Sequence, residues 1–414
     1  MASSRFPDSA SPDLAAVEQL KPALNQDLDE LYWRKVRSQF NLSDDFIFLN
    51  HGTLGPTPRV VVEAHARLEG ELSRNPADSL RRAEIEAVRE GLARFVNASA
   101  DEVALTRSTT EGMNIFAHGL DWSAGDEVLL SAYEHFGAYL PYQTLEKRFG
   151  VKLVWVDVPA LPENVAQIVD AFARAISQKT RLLVVSHTTY VTGLVMPVKE
   201  LAELAHAQGA LISVDGAQYF GMLPLDLQAL GVDHYAGSGQ KWLLAGTGTG
   251  FMFLRKDLQD QVWPLMGYYD PEAKFHRART ARRYEMTGQN NLPSALGVGA
   301  AVALQSAIGK ENIEARVRQL ATRLRSGLKQ IPEVRLWTSE DARFSAGLTA
   351  FSIADLPPAS IVRAVRDRDH IVIRWIEQAG VKAARVSTHF FNTLDEMDRL
   401  LRAVRYLADN LSHS

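Results

Sequence analysis

Short, nearly continuous apolar runs alternate with helix-period segments through the first two-thirds of the chain. Residues 103–106, 126–130, 151–156, 180–186 and 211–215 are rich in Val, Leu and Ile without polar alternation, the pattern of strands buried on both faces. Between them, apolar positions recur every three or four residues over 84–96, 164–176 and 197–208, which predicts helices. This alternation predicts an α/β fold with a large, doubly wound, mostly parallel sheet. Upstream, Leu14, Val17, Leu20, Leu28, Leu31, Tyr32 and Val36 hold helical spacing up to Phe40. An apolar strand at 46–49 then breaks into a Gly/Pro loop, with a helix expected from about Arg59. After Pro293 two long helices run to Leu328. Strands at 334–337, 349–353 and 371–374, a helix at 358–367, a further strand around Arg385 and a last helix from Leu394 predict a smaller α+β domain. The expected division is an N-terminal tail with helices (1–45), a large domain (46–292), and linker helices with a small C-terminal domain (293–414).

The length of 414 residues suits two domains. With 46% hydrophobic and 23% charged residues and a net charge of -4, the chain has no basic surplus for nucleic acid or anionic lipid. No run of 18 apolar residues appears, so no membrane span is expected. The 414 residues contain no cysteine, which excludes disulfides, thiolate metal sites and cysteine nucleophiles.

The chemistry gathers around Gly237-Ser238-Gly239-Gln240-Lys241-Trp242. A lysine among small residues, downstream of a strand that ends in Asp215 and continues to Gln218, suggests a buried amine able to form a Schiff base. An isolated lysine in a glycine-rich loop is ordinarily a surface residue; Asp215 changes that reading. A lysine for an aldehyde and a carboxylate for a pyridine nitrogen suit pyridoxal 5'-phosphate (PLP). Thr109 and Thr110 open a helix directly after a strand, where hydroxyls either cap the helix or join its free N–H groups in holding an anion. The strand ends that carry Thr109, His135, Thr189, Asp215 and Lys241 would share one edge of the sheet, where ligands of such sheets bind.

From Ser213 to Leu254 the chain resembles the active-site segment of the class V, cysteine-desulfurase-like branch of fold type I PLP enzymes, and its overall pattern resembles the isopenicillin N epimerase-like subgroup. The resemblance implies that Lys241 carries PLP and acts as catalytic base, with Asp215 on the ring nitrogen. It places Gln218, Ser238 and Gln240 beside the cofactor, Gln240 standing where the family usually has histidine. It further implies phosphate contacts from Thr109 and Thr110, ring stacking by His135 with Phe136 as its substitute, and a contact to the phenolic oxygen from Thr189. Arg385, in Ala384-Arg385-Val386-Ser387-Thr388-His389, would clamp the substrate carboxylate, with His389 structural. Asn50 and His51 would contact substrate at the entrance, although for His51 alone a structural or rim-lining role is as good a reading as a catalytic one.

Thr287-Gly288-Gln289 resembles a turn that reaches the phosphate of a second subunit, so a homodimer with shared sites is implied. The basic stretch Arg277, Arg279, Arg282 and Arg283 is either a solvated charge run or suited to an acidic substrate. The resemblance to the isopenicillin N epimerase-like subgroup implies an amino acid or the N-terminal glutamyl group of a peptide as substrate, specifically the glutamate of a pyoverdine siderophore precursor; the alternative is a racemase, epimerase or C–S lyase. A sulfur-carrying cysteine has no counterpart in this sequence. No basic leader followed by an apolar segment precedes Pro12, and a periplasmic, signal-stripped chain is the expectation, with a cytoplasmic protein as the alternative.

Overall fold

The computed structural model describes residues 15–22, 28–78, 81–266, 280–288 and 290–410. Leu14, Arg277, Arg279 and Gln289 lie outside the described residues. Seven strands form the large sheet: β2 (Val103–Thr106), β3 (Glu127–Ser131), β4 (Lys152–Val156), β5 (Thr180–Ser186), β6 (Leu211–Asp215), β7 (His234–Ser238) and β8 (Gly250–Leu254). Their spatial order is β2-β8-β7-β6-β5-β3-β4. Every adjacent pair is parallel except those of β8, which runs antiparallel to both β2 and β7. Leu182, Leu183, Val184 and Val185 are fully buried, so the apolar run of β5 is covered from both sides, as helices on both faces require.

The helix Leu292–Ile308 is apolar around most of its circumference, because it packs between the helices Arg59–Arg74 and Arg82–Phe95. Among the described residues no single helix is long and apolar enough to cross a membrane. The helix Lys310–Leu328 leads into a second, antiparallel sheet of order β12-β13-β10-β9, formed by β9 (Val334–Leu336), β10 (Leu348–Ile353), β12 (Arg374–Gln378) and β13 (Val381–Ser387). Helices Pro358–Asp369 and Leu394–Asp409 cover it, the latter started by a capping box in which the Thr393 hydroxyl and the Glu396 carboxylate satisfy one another's backbone N–H groups.

Two boundaries differ from the reading of the sequence. The segment 371–374 divides at Ile373: β11 (Ile371–Val372) pairs in parallel with β1 (Ile47–Phe48), whereas Arg374 opens β12 beside β13. The strand expected to begin the large domain thus packs with the small one. Ile47 and Leu49 are apolar and bury themselves with Ile371, Ile373 and Val386, and an isolated bridge from Asn50 to Ser387 continues the pairing.

Candidate active site

β7 ends at Ser238 and passes at once into a π-helical turn, Gly239–Leu243, which carries Lys241 and closes at Leu244 with φ +68°. The wide turn aims Lys241 over the carboxyl edge of the sheet. Gly55 donates its N–H to the Gln240 carbonyl at 2.8 Å. A Cβ on Gly55 would overlap the Lys241 carbonyl, so only glycine lets the 52–58 loop lie on the lysine turn. Beneath, Trp242 is fully buried; its ring N–H donates to Gln218 Oε1 at 2.8 Å, and its carbonyl accepts from Gln305 Nε2 at 2.6 Å and His389 Nε2 at 3.0 Å. His389 is therefore structural, as expected. Burial brings the Lys241 amine down to about 8; Asp215 pulls the other way, and Arg385 and Arg374 repel the ammonium further.

Asp215 stands at the end of β6, in register with Ala236 on β7 and Ser186 on β5. Its Oδ1 accepts from the Ala217 N–H at 2.9 Å, and burial raises its carboxyl above the ordinary value while the Lys241 charge opposes that rise. Next to it Gln218 spans two parts of the site, donating Nε2 to the Gly52 carbonyl at 2.8 Å while its oxygen receives Trp242.

The helix Thr109–Gly119 begins behind the N-cap Ser108, whose side chain accepts from Glu111 N. Thr109 Oγ1 and Ser238 Oγ share a hydrogen bond of 2.8 Å and both are buried; Thr110, one residue on, is exposed. The helix Phe136–Phe149 starts close by: a Cβ on Gly137 would come within 2.6 Å of Thr110 Oγ1. Two hydroxyls and two helix N-termini thus converge, which suits a phosphate. His135 caps the second helix, its Nδ1 accepting from Gly137 N at 3.1 Å, and burial together with the charges of Lys241, Arg374 and Arg385 lowers its pKa to about 3. Its neutral ring lies beside Tyr190 at 4.9 Å and Phe136 at 3.9 Å between centroids. Phe136 itself is 52% exposed.

At the other end, β13 delivers Arg385, 1% exposed. Its Nη1 donates to the Tyr190 carbonyl at 2.9 Å and its Nη2 to Asn50 Oδ1 at 3.3 Å, while Nε has no partner. Asn50 is in turn fixed by Thr53 Oγ1 at 3.0 Å. A Cβ on Gly52 would sit 3.0 Å from Arg385 Nη2, Gln218 Oε1 and Ser387 Oγ, so a bare backbone is what lets these groups meet. Burial lowers Arg385 to about 9, with Arg374 adding repulsion. Arg374 lies directly across the strand pair from Arg385 and donates Nη1 to Thr53 Oγ1 at 3.2 Å. From the same strand, Gln378 Nε2 donates to the carbonyls of Ala132 at 3.1 Å and Glu134 at 3.0 Å, and its Oε1 accepts from the Tyr190 hydroxyl. Glu134 is completely buried between Ser131 Oγ at 2.5 Å and Ser186 Oγ at 2.6 Å; burial raises it to about 7, and Asp215 contributes in the same direction.

Arg374, Thr53, Tyr190, Gln378 and Glu134 escaped the sequence reading. A charge ending a strand looks like a solvated face, and only the β12–β13 pairing reveals that Arg374 opposes Arg385. Other expected residues lie elsewhere. His51 is fully buried, packed edge-on against Phe48, Phe391 and His389, with Nε2 meeting Asn392 Oδ1 at 3.0 Å and its pKa lowered to about 3 by burial. It supports the entrance loop from beneath and does not line the entrance. Thr189 is also fully buried; its hydroxyl is taken up within its own turn by Thr192 Oγ1 and Leu194 N, both at 3.1 Å. Arg282 is ion-paired with Glu86 and Asp101 and so is not spare for an acidic substrate, whereas Arg283 donates to the Val262 carbonyl and the Tyr284 hydroxyl. Thr287 donates to Asn290 Oδ1 at 2.7 Å and, with Ser108, Thr110 and Glu111, lines a cavity of about 410 Å³. Gln240 leaves its Oε1 without a partner beside the lysine.

The residues fit PLP on their own terms: an amine lowered to about 8, a buried carboxylate, a two-helix anion cradle, and orphaned polar atoms on Gln240 and Arg385. A doubly wound sheet with this edge chemistry, joined to a small domain that brings a buried arginine to the same space, defines a PLP-dependent enzyme of fold type I. The profile described as Aminotransferase class-V matches residues 56–400, and the chain belongs to that family. It is 33% identical over 391 residues to isopenicillin N epimerase of Streptomyces clavuligerus, covering 90% of this chain and 97% of that one. A probable cysteine desulfurase of Methanothermobacter thermautotrophicus is 28% identical, with 90% and 97% covered. Among solved structures, a C-DES mutant with glycine covalently linked to its PLP cofactor superposes with a TM-score of 0.79 at 27% identity, covering 89% of this chain and 98% of that one. The cysteine desulfurase CsdA of Escherichia coli gives 0.81 at 26%, covering 91% and 98%.

Proposed function

We propose that this enzyme removes the Cα proton of an amino acid, or of the N-terminal glutamyl group of a peptide, whose carboxylate is held by Arg385. The substrate we favour is the glutamate of a pyoverdine siderophore precursor. The observation that carries the reading is Arg385 itself, a buried guanidinium without a carboxylate partner among the described residues, within electrostatic reach of Lys241. A buried charge of this kind is costly unless something of opposite sign arrives. Bound at Lys241, PLP supplies an aldehyde and an electron-withdrawing ring that stabilises negative charge at Cα.

The protein's own contributions are separable. Arg385 binds the carboxylate, with Asn50 and the Tyr190 carbonyl fixing its fork. Asp215 holds a positive charge at the ring nitrogen. Ser238, Thr109 and the helix start would hold the phosphate through hydroxyl and backbone N–H groups. Lys241, with an amine lowered to about 8, accepts and returns the proton near neutral pH, a task that favours a pKa close to the working pH. The turn at Thr287 would meet a second copy of the chain, making the working unit a homodimer.

Racemisation or epimerisation is the second reading, supported by the likeness to isopenicillin N epimerase. Both share the Cα deprotonation, and mass analysis in deuterated water separates them. Deuterium at Cα without other mass change marks an epimerase; loss of nitrogen or of a carbon marks transamination or oxidative decarboxylation. Lys241→Ala should lose the absorbance of lysine-bound PLP and slow Cα exchange by at least about 10³-fold. No lysine-bound absorbance in the wild type after reconstitution would overturn the reading.

A further inference from the structure

The clamp holds one more positive charge than a single carboxylate requires. Arg374 and Arg385 are register partners on adjacent antiparallel strands, so their side chains leave the same face of the sheet, with Cβ atoms about 5 Å apart for such pairs. Like charges directly opposite one another are destabilising. The two arginines also converge on one hydroxyl: Thr53 Oγ1 lies 3.2 Å from Arg374 Nη1 and 3.5 Å from Arg385 Nη2. No carboxylate among the described residues pairs with either. Both guanidinium charges are felt at Lys241 and at His135, so both face the space in which a substrate meets the lysine. They differ in depth: Arg385 is buried, whereas Arg374 is exposed.

We propose that Arg374 reads a second carboxylate on the substrate, making the enzyme selective for amino acids or terminal residues with two acidic groups, glutamate and aspartate among them. The assignment rests on the preceding reading, in which Arg385 holds the first carboxylate. The deeper arginine takes the group next to Cα, and the outer one, a strand spacing away, takes the acid at the far end of a short side chain. The arrangement also explains why an exposed arginine is kept opposite a buried one: the pair is unfavourable when empty and neutralised when a dianion binds. A neutral side chain leaves Arg374 uncompensated, so discrimination arises from the unbalanced charge as well as from the new contact.

Calorimetric titration of the PLP-loaded enzyme with glutarate and with butyrate tests this without turnover. Glutarate should bind at least about tenfold more tightly than butyrate, the scale of one charge-assisted bidentate contact. Arg374→Gln should bring glutarate to the level of butyrate while leaving butyrate unchanged, and Arg374→Lys should restore part of the difference. Equal binding of the two acids by the wild type, undetectable glutarate binding, or an Arg374→Gln variant that weakens both acids alike would overturn the proposal. Cα–H exchange, measured separately, distinguishes the two readings. An enzyme that prefers glutarate yet exchanges no Cα proton loses the proposed function while keeping this recognition site; one that exchanges alanine as readily as glutamate loses the recognition site alone.

Discussion

Arg89 and Arg385 are equally buried, each 1% exposed, and their surroundings could hardly differ more. Arg89 is enclosed by acid: Glu285 and Glu86 pair with it, and the Val103 carbonyl takes a further N–H. Its charge is raised in pKa by those carboxylates despite desolvation. Arg385 has only neutral oxygens, from the Tyr190 carbonyl, the Asn50 amide and the Thr53 hydroxyl, a second arginine opposite, and a lowered pKa. Burial without a carboxylate does not by itself mark a binding group. Arg325 is likewise buried and held by the Ala346 carbonyl. What distinguishes Arg385 is convergence: a neighbouring unpaired arginine, an orphaned Nε and the reactive amine share one space. One guanidinium is neutralised within the fold, and the other is not.

The comparison breaks most sharply at Arg89. Arg89→Gln strands Glu285 in the interior, and chemical denaturation should show a loss of about 3–5 kcal/mol, with activity per folded molecule unchanged. Arg385→Gln should do the reverse, lowering kcat/KM by about 10²-fold, mostly through KM, because it removes a charge-assisted bidentate contact. Its thermal midpoint should stay level or rise, since a desolvated, unpaired charge is gone. A fall in midpoint matching that of Arg89→Gln would mean that Arg385 is structural.

A third measurement extends the contrast to carboxylates. Glu285 has Arg89, whereas Glu134 has two serines and is raised to about 7. The folded state therefore holds a proton that the unfolded chain has released, so Glu134's contribution is present at low pH and drains as pH rises from about 4.5 through about 7. Glu134→Gln should remove that decline, gaining on the order of 2–3 kcal/mol on the wild type between pH 5 and 8. The buried histidines His51, His187 and His234, each lowered to about 3, act in the opposite sense. Their depressed pKa values favour the folded state above about 6.5, and that advantage is lost on acidification. The smallest effect is at Lys241: the rate of PLP capture by the cofactor-free chain should rise with pH around a midpoint near 8, where an ordinary lysine would still be charged. A midpoint near 10 would show that the amine is not desolvated.

Much of this was legible in the residues. β2, β5 and β6 begin and end where their apolar runs do, because a strand covered on both faces has no polar position to blur its limits. The cofactor half of the site follows from those strand ends, each handing its next few residues to one edge. The substrate half resisted, since it depends on pairings between distant segments. Arg374 means little until β12 is seen against β13. Arg282 resembled a substrate contact because Glu86 and Asp101, its partners, lie nearly two hundred residues earlier. His51 sits in an entrance motif, yet two of the three aromatic rings packed on it, His389 and Phe391, come from the far end of the chain.

The pairing of Ile47 with Ile371 has a consequence for how the protein comes into being. A strand made among the first fifty residues waits for a partner synthesised more than three hundred residues later, and Asn50 and Thr53 ride on the same segment. Long-range contacts of this kind form late, and a growing chain folds from its N-terminus as it emerges. The strands of the cofactor edge end at Leu254, but Gln305 and His389, which hold the Trp242 carbonyl beneath the lysine turn, are made later. The entrance loop, the lysine turn and Arg385 therefore reach their arrangement together, once the last strand and the 388–392 turn have been made.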